Sequence, residues 1–261
     1  MPPIDYATRA RLGVLVPSGN TVAEPELRAM LPAGVGLFVT RLPLTGSSEP
    51  ELMAMLDTLE TGTRLLADAQ PDAIAFHCTA VSTWAPHMAG EIRARMGDAI
   101  RARTGDALPP SARPIPALAT ADAILAALAA FRARRVLLVT PYVAAVHQRE
   151  IDWLTACGAE VVGGGYMSVA TNAAMARIPP ETIRDRVLAE ARGIDADLCF
   201  ISCTAIRSAG LIAPLEQALG IPVITSNQVL AWYALRHLGI ADAPAGFGRL
   251  FATQLAAREA A

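Results

Sequence analysis

The sequence predicts an α/β fold: two pseudosymmetric Rossmann-like halves, each a mainly parallel four-stranded sheet flanked by helices, with an active site in the cleft between them. Three observations carry this. Strand-sized apolar runs alternate with longer segments of helical period, the mark of crossover units. The series of segments restarts near residue 133. One local phrase, an apolar run closing in Cys-Thr-Ala, occupies the same place in both series, at Cys78 and at Cys203. Leu12 to Cys78 and Val136 to Cys203 are equal intervals to within one residue.

The elements follow in order. "RLGVLVP" (11–17) reads as a buried strand, and 24–31 carries apolar positions at helical spacing. "GVGLFVTRLPL" (34–44) is a second strand, and 50–69 has the 3.6-residue period of one amphipathic helix. "DAIAFHC" (72–78) is a third strand, a helix runs through 91–103, and "RPIPALAT" (113–120) is a fourth strand. The second series has strands at "ARRVLLVTPY" (133–142), "GAEVVGGGYM" (158–167), "DADLCFISCTA" (195–205) and "GIPVITSNQ" (220–228). "QVLAWYALRHLGI" (228–240) is a closing helix expected to pack back on the first half. The expected partition is 1–117 plus 229–261 for the first half and 118–228 for the second. Crossovers of this kind give parallel sheets covered on both faces.

Composition narrows the function. Hydrophobic residues are 53% and charged residues 18%, enough for a large core and too few charges for disorder. A formal charge of -2 supplies no basic excess for a polynucleotide backbone, so no nucleic acid is expected as partner. No apolar run is long enough for a membrane span, and the opening "MPPIDYATRARLG" lacks a signal core. A cytoplasmic location is expected, where thiols stay reduced. The four cysteines include no Cys-x-x-Cys pair, so neither metal nor disulfide is expected.

Ligands of parallel α/β sheets sit beyond the carboxyl ends of the strands. Those ends carry "PSGNT" with Asn20, the turn Cys78-Thr79-Ala80, Tyr142, Asn172 in "SVATNAAMARI", and the turn Cys203-Thr204-Ala205. A cysteine at a strand-to-helix turn is expected near free backbone N–H groups that favour its thiolate and can hold a carboxylate. The bland readings are that Asn20 caps a helix, Tyr142 packs, and Asn172 braces a loop. Cys199 within a strand and Cys157 at a helix end read as small buried hydrophobes. His77 should point away from Cys78, since adjacent strand residues face opposite sides. His147 and His237 read as surface or core, and Trp84 as core or as a wall of the pocket. The glycine triplet 163–165 lacks the spacing of a dinucleotide fingerprint.

The segments "GVLVPSGNTVAEPE", "FHCTAVS", "LLVTPYVAAVHQREIDWL", "ATNAAMARI" and "FISCTAIRSAGLIAPLEQALGIPVITSNQVLAWYALR", in this order, resemble the aspartate/glutamate/hydantoin racemase superfamily, within it the maleate cis-trans isomerase and arylmalonate decarboxylase branch. The resemblance covers about residues 10 to 240. It implies a cofactor-free, metal-free enzyme acting on a small carboxylic acid, and a homo-oligomer, a dimer by that likeness. Cys78 matches the nucleophile of the isomerases, and Cys203 the acid/base partner. Asn20, Tyr142 and Asn172 match substrate-binding positions, as do Thr79, Ala80, Thr204 and Ala205 in the two turns. The decarboxylases carry glycine where Cys78 stands. Maleate isomerisation is the activity this implies. The alternatives are a two-cysteine racemase or epimerase, an arylmalonate-type decarboxylase, and a small-acid binding protein without turnover.

Overall fold

The computed structural model describes residues 4–105 and 114–256; Arg113 of the expected fourth strand lies outside them. Two separate four-stranded sheets are present, and every strand pairing in them is parallel. The first contains β1 (Ala10–Pro17), β2 (Val35–Leu42), β3 (Ala73–Phe76) and β4 (Ala117–Ala119) in the order β2-β1-β3-β4. The second contains β5 (Arg135–Thr140), β6 (Glu160–Tyr166), β7 (Leu198–Ile201) and β8 (Val223–Thr225) in the order β6-β5-β7-β8. The repeat read from the sequence is therefore a repeat of topology.

The central strands are apolar because they are covered on both faces. All four residues of β3 and all four of β7 are buried, and β5 is buried from Val136 to Thr140. In the first half α1 (Ala23–Met30) follows β1, while α3 (Leu59–Ala67) and α5 (Met88–Thr104) pack together. The closing helix α11 (Ser226–His237) packs against α1 and against α6 (Thr120–Phe131).

The helix expected over 50–69 is broken. A Ser48–Glu51 capping box starts α2 (Glu49–Ala54), a 3₁₀ turn runs from Met55 to Thr58, and α3 follows. Leu52, Met55, Leu56, Leu59 and Leu66 are nevertheless all buried. The apolar stripe survives while the axis bends, so the period read from the sequence was sound and the continuity was not.

The glycine triplet of β6 has a structural cause. The β5–β6 register shifts between Val136 and Leu137, and Gly164, opposite Leu138, adopts φ +127. A Cβ there would lie 1.8 Å from the Leu138 carbonyl oxygen. Gly164→Ala is expected to destabilise the fold by more than about 3 kcal/mol, lowering the melting midpoint on the order of 10 °C. Thermal denaturation followed by circular dichroism checks this, and an unchanged midpoint would show that β6 can shed its irregularity.

The topology also places the loops. β1 sits between β2 and β3, so successive crossovers leave it in opposite directions, and a crevice opens between the carboxyl ends of β1 and β3. The second sheet has its crevice between β5 and β7. Asn20, Cys78, Tyr142 and Cys203 follow the four strands that flank these two crevices.

Candidate active site

The two crevices meet in one small cavity, lined by Cys78, Thr79, Ala80, Tyr142, Asn172, Met175, Cys203 and Thr204, with Pro17, Leu44, Gly46, Ser47 and Leu52 closing it. Of the residues singled out in the sequence, Asn20 and Ala205 do not line this cavity. Asn20 lies just behind it: its Nδ2 donates to Thr204 Oγ1 (2.9 Å), while its Oδ1 accepts from the N–H groups of Val22 and Ala23 (2.9 and 3.0 Å). It thus caps α1 and ties the first half to the second turn.

The loop between β2 and α2 crosses to the other half. Gly46 forms an antiparallel bridge with Thr171, Ser47 Oγ donates to Ala170 O (3.0 Å), and the Asn172 N–H donates to Thr45 O (3.0 Å). Asn172 Nδ2 donates to Leu44 O (3.3 Å), so this amide is a loop brace as well as a cavity wall. Gly19 sits at the same crossing, where a Cβ would meet Leu44 O at 3.2 Å and Asn172 Cβ at 3.4 Å.

The two Cys-Thr-Ala turns are alike in sequence and differ in form. Cys78 is extended and precedes a four-residue helix, α4 (Thr79–Ser82). Cys203 has φ +108 and is followed by turns, with a 3₁₀ turn only at Ala209–Leu211. The helix start expected after Cys203 is therefore absent. A non-glycine residue at that φ costs on the order of 1–3 kcal/mol. Local bonds hold it there: its N–H donates to Ser226 Oγ (3.0 Å), and its sulfur accepts from the Ala205 N–H (3.3 Å) and from the Tyr142 hydroxyl.

The expected thiolates are also corrected. Burial pushes both Cys78 and Cys203 up to about 12, so both rest as thiols. Backbone N–H groups do aim at the sulfurs, those of Val81 and Ala80 at Cys78 and that of Ala205 at Cys203, and they pull the other way. Desolvation outweighs them, because at one-twentieth exposure or less each thiolate would lose its water. Burial likewise holds Tyr142 well above the ordinary phenol value, so it remains a donor.

Sequence reasoning missed the residues that join the turns. Ser226 Oγ accepts from both the Cys203 N–H and Thr79 Oγ1 (2.9 Å) and so links the two turns through one hydroxyl. Asn227 Nδ2 donates to Glu26 Oε2 (2.6 Å) and to Thr204 O (3.3 Å), which aims its Oδ1 at His77 Nε2 (2.8 Å). Burial pushes His77 down to about 4. It is therefore neutral, donating from Nε2 to Asn227 and accepting at Nδ1 from Thr120 Oγ1 (2.9 Å). As expected from strand alternation, it turns away from its neighbour Cys78. A signal for Ser226 was available. The repeat aligns "IPALAT" with "IPVITS" and so sets Ser226 opposite Thr120, a hydroxyl at the end of each fourth strand.

The other candidates fall elsewhere. Cys199 is buried in β7, and Cys157 ends α7 (Ala144–Ala156); all four cysteines are free thiols. His147 is buried on Thr140 Oγ1 (3.0 Å), while His237 lies at the exposed end of α11. Trp84 does not line the cavity: the Arg149 guanidinium lies over its ring at 3.4 Å. No group of three or more His, Cys, Asp or Glu that could hold a metal ion occurs among the described residues, nor does a helix long and apolar enough to cross a membrane.

Comparison with known proteins places this geometry. A family model described as arylmalonate decarboxylase matches residues 12–251. Maleate isomerase of Nocardia farcinica is 30% identical over 249 residues, covering 92% of this chain and 94% of that protein. Arylmalonate decarboxylase of Bordetella bronchiseptica is 32% identical over 139 residues, 52% of this chain and 58% of that protein. Among solved structures, a cysteine-to-serine variant of the Nocardia farcinica isomerase with a covalently bound succinylcysteine intermediate superposes with a TM-score of 0.81. It shares 27% identity and covers 93% of this chain and 98% of that one.

Proposed function

This chain belongs to the arylmalonate decarboxylase family, and from that premise we propose that it is a cofactor-independent isomerase converting maleate to fumarate in the cytoplasm. The observation that carries the reading is a pair of cysteine thiols, one from each sheet, in a single small cavity among hydroxyl and amide donors.

The geometry supports a covalent route. Since both thiols are protonated at rest, the nucleophile is generated when substrate arrives: Cys78 passes its proton to a substrate carboxylate. The sulfur then adds to one alkene carbon. A C–S bond forms, the π pair moves onto the far carboxylate as an enediolate, and Cys203 delivers its proton to the second carbon. The central bond is now single and rotates. Cys203 as thiolate takes that proton back, the π bond re-forms, and Cys78 leaves as thiolate and recovers the proton it had passed to the substrate carboxylate, so that fumarate is complete and both thiols are restored. Addition and elimination thereby replace a rotation that the double bond forbids. Charge gathers on a carboxylate in the enediolate, where Tyr142, Asn172 and the turn N–H groups are the donors in reach.

The test is proton NMR with maleate in deuterated buffer. Fumarate should accumulate. Failure to form it from folded protein would remove maleate as substrate. Deuterium entering the α-carbon of a substituted acid would then favour the racemase reading, and carbon dioxide release from an arylmalonate the decarboxylase.

A further inference from the structure

The two turns are near copies, yet the residue before each cysteine differs, and so does what stands behind it. Before Cys78 is His77, neutral and bound to Thr120 and Asn227. Before Cys203 is Ser202, whose Oγ donates to Glu150 Oε1 (2.6 Å). Glu150 projects from α7 and is 2% exposed. Its Oε2 is fully buried and has no hydrogen-bond partner. A carboxyl in this state needs a reason, and the isomerase chemistry above does not use it.

We propose that Glu150 is a positioning residue that keeps the proton on Cys203, and so assigns the acid/base role to that thiol and the nucleophile role to Cys78. This rests on the two-thiol reading of the site. The carboxyl is held by Ser202, next to Cys203 in the chain, and its charge bears on Tyr142, after β5, and on Cys203, after β7, raising the proton affinity of each. On its own helix, His147 is occupied by Thr140 and the Tyr166 ring, and Arg149 by Trp84. No charge of Glu150 bears on Cys78, where the groups besides burial are the Val81 and Ala80 N–H donors and Cys203 itself. Glu26 adds to the asymmetry through Asn227 and Thr204, and it too opposes ionisation of Cys203. Burial pushes Glu150 up to about 7, with the Ser202 hydroxyl pulling it down. Its charge therefore appears as pH rises through neutrality, and Cys203 holds its proton more tightly above that point.

The experiment reads each thiol without substrate, so its outcome is independent of whether maleate is turned over. Wild type, Glu150→Gln and Ser202→Ala are treated with methyl methanethiosulfonate from pH 6 to 9. Modification rates of Cys78 and Cys203 are followed by peptide mass spectrometry. In wild type the Cys203 rate should rise less steeply with pH above about 7. Glu150→Gln should remove that inflection and speed Cys203 by about tenfold at pH 9, leaving Cys78 unchanged. Ser202→Ala removes the hydrogen bond that favours the carboxylate, so it should move the inflection upward and speed Cys203 at pH 8. An unchanged Cys203 profile in both variants would overturn the proposal. Equal acceleration of both thiols would overturn it too, since that marks a loosened cavity.

Discussion

Cys78→Ala is expected to lower maleate turnover by at least about a thousandfold, with protein that remains folded. The size follows from the absence of a substitute. The hydroxyls of Thr79 and Thr204 in the same cavity are far weaker nucleophiles than a thiolate. Cys203 is tied by the Tyr142 hydroxyl and the Ala205 N–H in its own constrained turn. Without addition at sulfur, the alkene keeps its double bond and no rotation occurs. The structural cost is small by comparison. Cys78 is 5% exposed and behaves as a small hydrophobe, so its loss removes one buried sulfur, worth about 1 kcal/mol. Steady-state rates measured beside the melting midpoint check this. Normal turnover by the alanine variant would end the covalent mechanism, whereas a lost midpoint would only reassign Cys78 to the core.

The fold was legible where it depends on local pattern. Each strand of the two sheets falls within a run marked by its apolar residues and bounding turns, except that β1 begins one residue earlier, at Ala10, and the shared order of the sheets follows from the restart near residue 133. Residues at strand ends were legible for the same reason: topology alone brings Cys78, Tyr142, Asn172 and Cys203 to one cavity. What stayed hidden depends on distance in sequence. Glu26 reaches Asn227, and Ser226 reaches Thr79, across most of the chain, and no periodicity announces such a pair. The ionisation state of the cysteines was misread because a turn advertises its N–H groups in sequence, while the desolvation that outweighs them comes from residues of both halves assembled around the cavity.

Cys203→Ser should separate the two halves of the reaction. The nucleophile is intact in this variant, so maleate can still be attacked at Cys78. The enediolate that results is reactive enough to take a proton from water or from the serine hydroxyl, slowly. Its reversal needs a base to remove that proton, and an alkoxide at position 203 is far less accessible than a thiolate, since a hydroxyl gives up its proton much less readily than a thiol. Product release is therefore expected to fail after addition has succeeded, and the protein should accumulate one succinyl group on Cys78. The Nocardia farcinica relative trapped as succinylcysteine in a cysteine-to-serine variant shows that such a species can persist in this fold. Intact-mass and peptide spectra after incubation with maleate should show near-stoichiometric adduct on Cys78 in the variant and little in wild type. Fumarate formation should fall at least about a hundredfold. An adduct on another residue would remove Cys78 as nucleophile. Undiminished fumarate without any adduct would mean that Cys203 handles no proton, and that the enediolate rotates without one.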